Sequence, residues 1–512
     1  MTGKAVPFTP DGRRNLEHAA GLTESRIAAQ MVRGSAWMTL SRWMVRSIGL
    51  ISTLVLARIL SPADFGIIAL AMLVVAFIEV VAESGQGMAL VRLRDPKPAH
   101  YDAAWTLQIL LGVLLAVLIT AAAPYAARFF SDDRLAAVIH VLALRAFLNG
   151  FISTGIAQYR INLRYDRLFR YFVYSKLASF AIGVVLAVAL QNYWALAIAM
   201  VGEKVVAVAA SFLMHPYRPR LSLAKMGEIW GFSAWVLVQA MADYLARQID
   251  AFWIGRLGTP AALGTYKIAE DMATAPTYAL TMPMAFALFP IYAHLSDDGE
   301  TLRRTALRGV ATAALVAGLL GVGIASTAAE FVGVVLGPQW AMAVPLVAWH
   351  ALSGIGTALT NNIATVLQVA GSARLAAALG WVRAGLLAAV LSIVALGVSG
   401  GDLEIIAAAR TATLTIVTLG YLAVLVRTLD VPAAGAVAAL WRPALAAGVM
   451  ALAIHEAAAL PTGWPLLDLL VKAALGTAAY GATLFAAWRL SGRPEAVERD
   501  VARLLLRKLA RR

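Results

Sequence analysis

The chain of 512 residues has no cysteine, so it holds no disulfide framework, no thiol nucleophile and no cysteine-ligated metal. Charge is nearly as scarce. Asp, Glu, Lys and Arg make up 14% of the residues, against roughly a quarter in an ordinary soluble protein. There is no Gly-rich loop ending in Gly-Lys-Ser/Thr to cradle ATP phosphates, and no His-Glu-x-x-His zinc helix. These absences argue against an ATPase or a metalloprotease; no catalytic residue, metal or cofactor is expected. The first 33 residues are polar and mixed in charge (Lys4, Arg13, Arg14, Glu17, Arg26), without a short apolar core before a cleavage site. Targeting is therefore expected to come from the first long helix.

Apolar residues fill the space the charges leave. They make up 61% of the chain, mean hydropathy is +0.75, and they arrive in blocks of about twenty, the length that crosses a hydrocarbon core of about 30 Å. Such blocks lie near 36–58, 65–90, 103–127, 135–157, 171–190, 193–214, 230–254, 264–291, 306–330, 341–369, 375–397, 404–427, 437–458 and 465–488. The pattern predicts an all-α polytopic membrane protein of about 14 transmembrane helices. The formal net charge of +14 is then the basic face of a membrane protein turned to anionic lipid, not a nucleic-acid surface.

The basic residues fix an expected orientation. Even-numbered connections carry sixteen, among them Arg92, Arg94, Arg160, Arg164, Arg167, Arg170, Arg218, Arg220, Arg303 and Arg304; odd-numbered ones carry four, Arg58, Arg128, Arg134 and Arg256. The C-terminal tail is also strongly basic (Arg507, Lys508, Arg511, Arg512). Positive charge is retained inside, so both termini are expected in the cytoplasm.

A repeat divides the chain. Trp37 and Trp235 lie 198 residues apart, and the same offset pairs Ser35 with Ser233, Arg58 with Arg256, Pro62 with Pro260, Gly66 with Gly264 and Ala71 with Ala269. Nine of thirty-eight positions are identical, where an Ala-rich background gives roughly three or four. The first copy opens with the first helix and the second with the seventh. An even number of spans separates them, which predicts two parallel six-helix lobes with a transport site between them and two C-terminal helices appended. The expected parts are a tail over 1–33, an N-lobe over 34–214, a basic linker over 215–229, a C-lobe over 230–428, the appended pair over 429–490 and a basic tail over 491–512.

Ionisable residues inside a span are costly, and they concentrate in the first helix pair of each repeat. Helices 1 and 2 carry Arg42, Arg46, Glu79 and Glu83; helices 7 and 8 carry Asp243, Arg247, Asp250, Lys267, Glu270 and Asp271. Their spacing of three, four or seven places each set on one helix face. These ten are the candidate substrate-binding residues of a hydrated cavity. Arg42 and Arg46 lead, because no acidic residue stands one turn away and two guanidinium groups can grip a pyrophosphate as bidentate donors. The bland alternative, ion pairs that lock helices together, applies most to Asp243 with Arg247 and to Glu203 with Lys204. His350 and Asn361-Asn362 read as inter-helix hydrogen-bonding groups. Pro276, Pro283 and Pro290 recur every seven residues on one face of helix 8, a pattern suited to hinges.

The corner segment LARILSPADFGIIALA (56–71), with AESGQGMALV (82–91) after it, resembles the polysaccharide-transporter branch of the multidrug/oligosaccharidyl-lipid/polysaccharide exporter superfamily, the Wzx-type flippases. Residues 263–298 agree through Gly264, Tyr266, Ala269, Pro276, Phe289 and Pro290. The resemblance implies two six-helix lobes around a V-shaped cavity lined by helices 1, 2, 7 and 8. It also implies a cargo of undecaprenyl-pyrophosphate-linked oligosaccharide, for O-antigen, capsule or exopolysaccharide. The partners it implies are lipid-linked oligosaccharide, membrane lipids and a polysaccharide polymerase or export complex; nucleic acid is not among them. A drug or cation antiporter of the same superfamily and a peptidoglycan-precursor flippase are the alternatives.

Overall fold

Within hydrocarbon no water satisfies backbone N–H and C=O groups, so apolar blocks of this length must close their hydrogen bonds internally as helices. The computed structural model describes residues 24–82, 90, 96–162, 164–226, 234–295, 298–398, 401–457 and 463–492, and among them there is no β-strand. Among these described residues, fourteen α-helices have 17 residues or more and two are short. In chain order they are α1 (Glu24–Ile59), α2 (Pro62–Ala82), α3 (Pro98–Phe130), α4 (Arg134–Gly150), the short α5 (Ile156–Ile161), α6 (Tyr165–Leu190) and α7 (Trp194–Met214). The second half holds α8 (Ala234–Leu257), α9 (Pro260–His294), α10 (Gly299–Ser326), the short α11 (Ala328–Val335), α12 (Ala343–Val369), α13 (Ala373–Ile393), α14 (Leu403–Thr428), α15 (Ala433–Ala457) and α16 (Pro465–Leu490). Eleven are long and apolar enough to cross a membrane. The three that fall short are α4, with 17 residues, and α8 and α9, the pair carrying Asp243, Arg247, Asp250, Lys267, Glu270 and Asp271.

The chain divides into two units, Met1–Tyr244 and Leu245–Arg512, and the division falls within α8. Counting only long helices, the pairings of the fourth helix inside the first unit recur six helices later inside the second. In the first, α4 packs on α2, α3 and α7; in the second, α12 packs on α9, α10 and α14. The last pair, α15 and α16, packs on α10.

The repeated corner is built alike in both halves. At the first, Ser61 and Asp64 cap α2: the Ser61 amide and hydroxyl both donate to the Asp64 carboxylate, at 3.0 and 2.6 Å. At the second, the Thr259 hydroxyl accepts from the Ala262 amide at 3.2 Å. Pro62 and Pro260 each open the next helix, where a missing N–H loses nothing. Helix α9 continues unbroken through Pro276, Pro283 and Pro290 as 35 residues.

Small residues set how closely helices cross. A Cβ on Gly150 would lie 2.9 Å from the Gln108 carbonyl oxygen and 3.2 Å from Cα of Ile109, so α3 and α4 touch backbone to backbone. At the end of α12, Gly371 has φ +78 while the Ser372 amide donates back to the Leu367 carbonyl at 3.0 Å, a turn that favours glycine.

After α7 the chain does not swing free. The Tyr217 hydroxyl donates to Asp102 of α3 at 2.6 Å, the Arg220 amide donates to the same carboxylate at 2.8 Å, and the Ser222 amide donates to the Thr106 hydroxyl at 2.8 Å. His215 anchors this strap: its Nδ1 accepts the Tyr217 amide at 3.1 Å, and its ring meets Tyr159 edge-on at 5.1 Å. An Nδ1 that accepts must be unprotonated. Burial, helped by the nearby Arg218 cation, pushes the imidazole down to about 4.

Two outcomes are expected. Gly150→Leu forces α3 and α4 apart and lowers the melting temperature of the detergent-solubilised protein by the equivalent of about 1–3 kcal/mol; Gly385→Leu, where nothing lies within 4 Å, is the neutral control. For His215, the folded value lies below the ordinary one of about 6.5. Its stabilising contribution is therefore complete above that value and is lost as pH falls towards about 4. Melting curves from pH 7 to 4 should show a larger decline for the native protein than for His215→Gln.

Candidate functional site

The densest buried charge lies inside the second unit, where α8, α9 and α14 meet against α12. Asp250 of α8 is fully buried and Arg410 of α14 is 7% exposed. Arg410 donates through Nη1 to Asp250 and through Nη2 to Glu270 of α9, the latter at 3.0 Å. Lys267, one turn before Glu270, donates to its other oxygen at 2.5 Å and lies 3.3 Å from the Gln248 amide oxygen. Asp250 takes two further donors, the Tyr266 hydroxyl at 2.7 Å and the Ala251 amide at 2.8 Å. Two carboxylates thus face two cations, which is the arrangement that lets charges remain in a dry interior.

His350 of α12 completes the cluster without joining it by hydrogen bonds. It is fully buried, its ring stands edge-on to Tyr266 at 4.6 Å, and neither ring nitrogen has a partner. Arg410 Nε is likewise unsatisfied. Among the described residues no three His, Asp or Glu side chains converge as a metal-ligand set.

The ten residues singled out from the sequence therefore separate by environment. Asp250, Lys267 and Glu270 belong to this cluster. Arg42, Arg46, Arg247 and Asp271 are exposed, and Asp243 is half-buried with the Gln239 amide 3.4 Å away. Glu79 is half-buried and pairs with Arg145 of α4 at 2.8 Å, which ties α2 to α4. Glu83 lies outside the described residues. Glu203 pairs with Lys176 of α6 at 3.4 Å, and Lys204 reaches the Asn149 side chain at 3.0 Å, so these neighbours in sequence serve different helices. Arg410 is not among those ten. Its partners are 140 and 160 residues away, and only the fold brings them together.

A separate groove of about 820 Å³ runs along α15, with apolar walls that include Leu445, Val449 and Leu452 and with Ser326 and His455 as its polar lining. It shares no residue with the charged cluster.

Residues 55–345 match the family described as "Polysaccharide biosynthesis protein". The chain belongs to this family. Among curated relatives, the teichuronic acid biosynthesis protein TuaB of Bacillus subtilis (strain 168) is 25% identical over 68% of this chain and 73% of its own. The succinoglycan biosynthesis transport protein ExoT of Rhizobium meliloti (strain 1021) is 24% identical over 90% of this chain and 93% of its own. Among solved structures, the lipid II flippase MurJ in an inward closed conformation superposes with a TM-score of 0.70 at 11% identity, covering 88% of this chain and 98% of that one. That likeness speaks to the fold. The family membership read from the corner motif is borne out, and so is the all-α polytopic membrane architecture.

If the cluster is held by charge balance, removing one partner is far worse than removing a matched pair. Arg410→Met leaves Asp250 buried and uncompensated and is expected to destabilise the protein by about 3–5 kcal/mol. The double variant Arg410→Met with Asp250→Asn should recover part of that loss. Melting temperatures in detergent, compared as a double-mutant cycle, measure the difference.

Proposed function

We propose that this membrane protein is a flippase that moves an undecaprenyl-pyrophosphate-linked oligosaccharide repeat unit across the bacterial inner membrane by alternating access, supplying O-antigen, capsule or exopolysaccharide synthesis. Family membership carries the reading: the matched relatives are named for polysaccharide biosynthesis and, in ExoT, for its transport. The cargo is a membrane-spanning problem of mixed chemistry. A polyprenyl tail can stay in lipid, whereas a pyrophosphate and sugar hydroxyls need a polar path across about 30 Å of hydrocarbon.

In this reading the chain acts by binding and reorientation and forms no covalent intermediate. Arg42 and Arg46, exposed one turn apart on α1, hold the pyrophosphate. Arg247, Asp243 and Asp271 contact the headgroup, and the Asp250–Arg410–Glu270–Lys267 cluster keeps α8 and α9 in register. Both termini face the cytoplasm, and a polymerase on the far side consumes the delivered unit. A drug or cation antiporter shares the superfamily, yet exposed guanidinium groups on α1 and α8 repel a cationic cargo. A peptidoglycan-precursor flippase shares the fold, and fold alone does not assign cargo.

Deleting the gene should cause lipid-linked repeat units to accumulate on the cytoplasmic leaflet, measured by mass spectrometry of extracted lipids. Complementation with Arg42→Ala/Arg46→Ala is expected to restore membrane protein level but not export. Normal polymer from that variant would remove the pair from the mechanism, and an unchanged lipid profile in the deletion strain would overturn the reading itself.

A further inference from the structure

The α5–α6 corner carries four arginines, Arg160, Arg164, Arg167 and Arg170, and one acidic residue, Asp166. Arg164 and Arg170 both reach Asp166, at 3.3 and 3.4 Å, and all three side chains are at least about a third exposed. Arg160 and Arg167 are half-buried, and among the described residues neither makes an ion pair. Over residues 160–170, four cations against one anion leave an excess of three positive charges.

Beyond this corner, α6 presents an apolar stripe on the same face. Starting from Arg170, the residues at helical spacing are Tyr174, Leu177, Ala181, Val185 and Val188, and all are exposed: Tyr174 by 52%, Leu177 by 44%, Val185 by 67% and Val188 by 62%. Arg167 lies within one step of that face, a turn earlier. At about 1.5 Å per residue, Ala181 stands about 16 Å from Arg170, close to the half-thickness of about 15 Å that one leaflet's hydrocarbon occupies. Tyr174 sits between charge and hydrocarbon, where an amphipathic ring is favoured.

We propose that the first turns of α6 bind an anionic phospholipid of the surrounding bilayer. Arg164, Arg167 and Arg170 hold the headgroup phosphate, and an acyl chain lies along Tyr174, Leu177 and Ala181. A guanidinium offers a fork of donors that matches a phosphate, and Asp166 pre-orients two of the three while leaving the positive excess in place. A free phosphate would use the arginines alone; a lipid uses both the arginines and the stripe. The inference rests on the membrane fold and stands whether or not the cargo proposed above is correct.

The test uses the full chain in mild detergent, with retained lipid counted by native mass spectrometry and melting temperature read in parallel. Phosphatidylglycerol, phosphatidylcholine and inorganic phosphate are the probes. Phosphatidylglycerol should be retained preferentially and should raise the melting temperature, and inorganic phosphate should do neither. Each arginine removed should weaken retention by about fivefold, from about 1 kcal/mol per basic contact near a lipid surface. Arg167→Gln is the cleanest variant because it breaks no ion pair among the described residues. Arg304→Gln, at another basic corner, should leave retention unchanged. Equal retention of the two lipids, equal loss in Arg167→Gln and Arg304→Gln, or a response to inorganic phosphate matching that to phosphatidylglycerol would each overturn the proposal.

Discussion

A charge buried among membrane helices has nowhere to turn for water, so it must find its opposite within the protein. Arg410 meets that constraint by bridging two carboxylates on two different helices. Asp250 accepts from Arg410, Tyr266 and its own neighbour's amide, which fills three of the roughly four acceptor sites of a fully enclosed carboxylate. Because the partners come from α8, α9 and α14, no single helix can slide along its axis without stranding a charge. The network thus specifies register, a service that uniform apolar contact between leucine and alanine faces performs poorly.

The two halves keep a common scaffold but not a common electrostatic design. The hydroxyl cap and the proline after it survive at both corners, Ser61-Pro62 and Thr259-Pro260. In the same register Asp250 corresponds to Ser52, Tyr266 to Ile68 and Lys267 to Ala69. The first unit instead ties its second and fourth helices with Glu79 and Arg145, both about a fifth exposed. Backbone geometry is shared because a helix corner has few solutions. Buried charge differs because any helix pair can be locked by any correctly placed partner.

Much of the fold was legible in the sequence for a physical reason: the hydrocarbon thickness imposes one length on every crossing, and the basic connections punctuate it. The corner motif, with its cap and proline, located the family. The polar interior was legible only in part. Spacing placed Lys267 and Glu270 on one face of α9, and they do pair. Nothing local tied either to Arg410, because partners 140 to 160 residues apart leave no periodic trace. Tyr266 illustrates the same limit. As part of a recurrent Gly-x-Tyr element it marked kinship, while its work as a donor to a buried aspartate emerges only in three dimensions. The strap anchored by His215 read as a plain basic linker, since its partners Asp102 and Thr106 sit 115 and 116 residues earlier on α3.

The balance of the cluster has an electrical consequence. Two carboxylates, one lysine and one arginine sum to zero, so a displacement of this cluster as a body transfers no net charge through the bilayer's field. A lone charge carried across would be driven by about 2.3 kcal/mol for every 100 mV. The cluster is therefore blind to voltage, and any sensitivity to it must reside in side chains that are not so compensated.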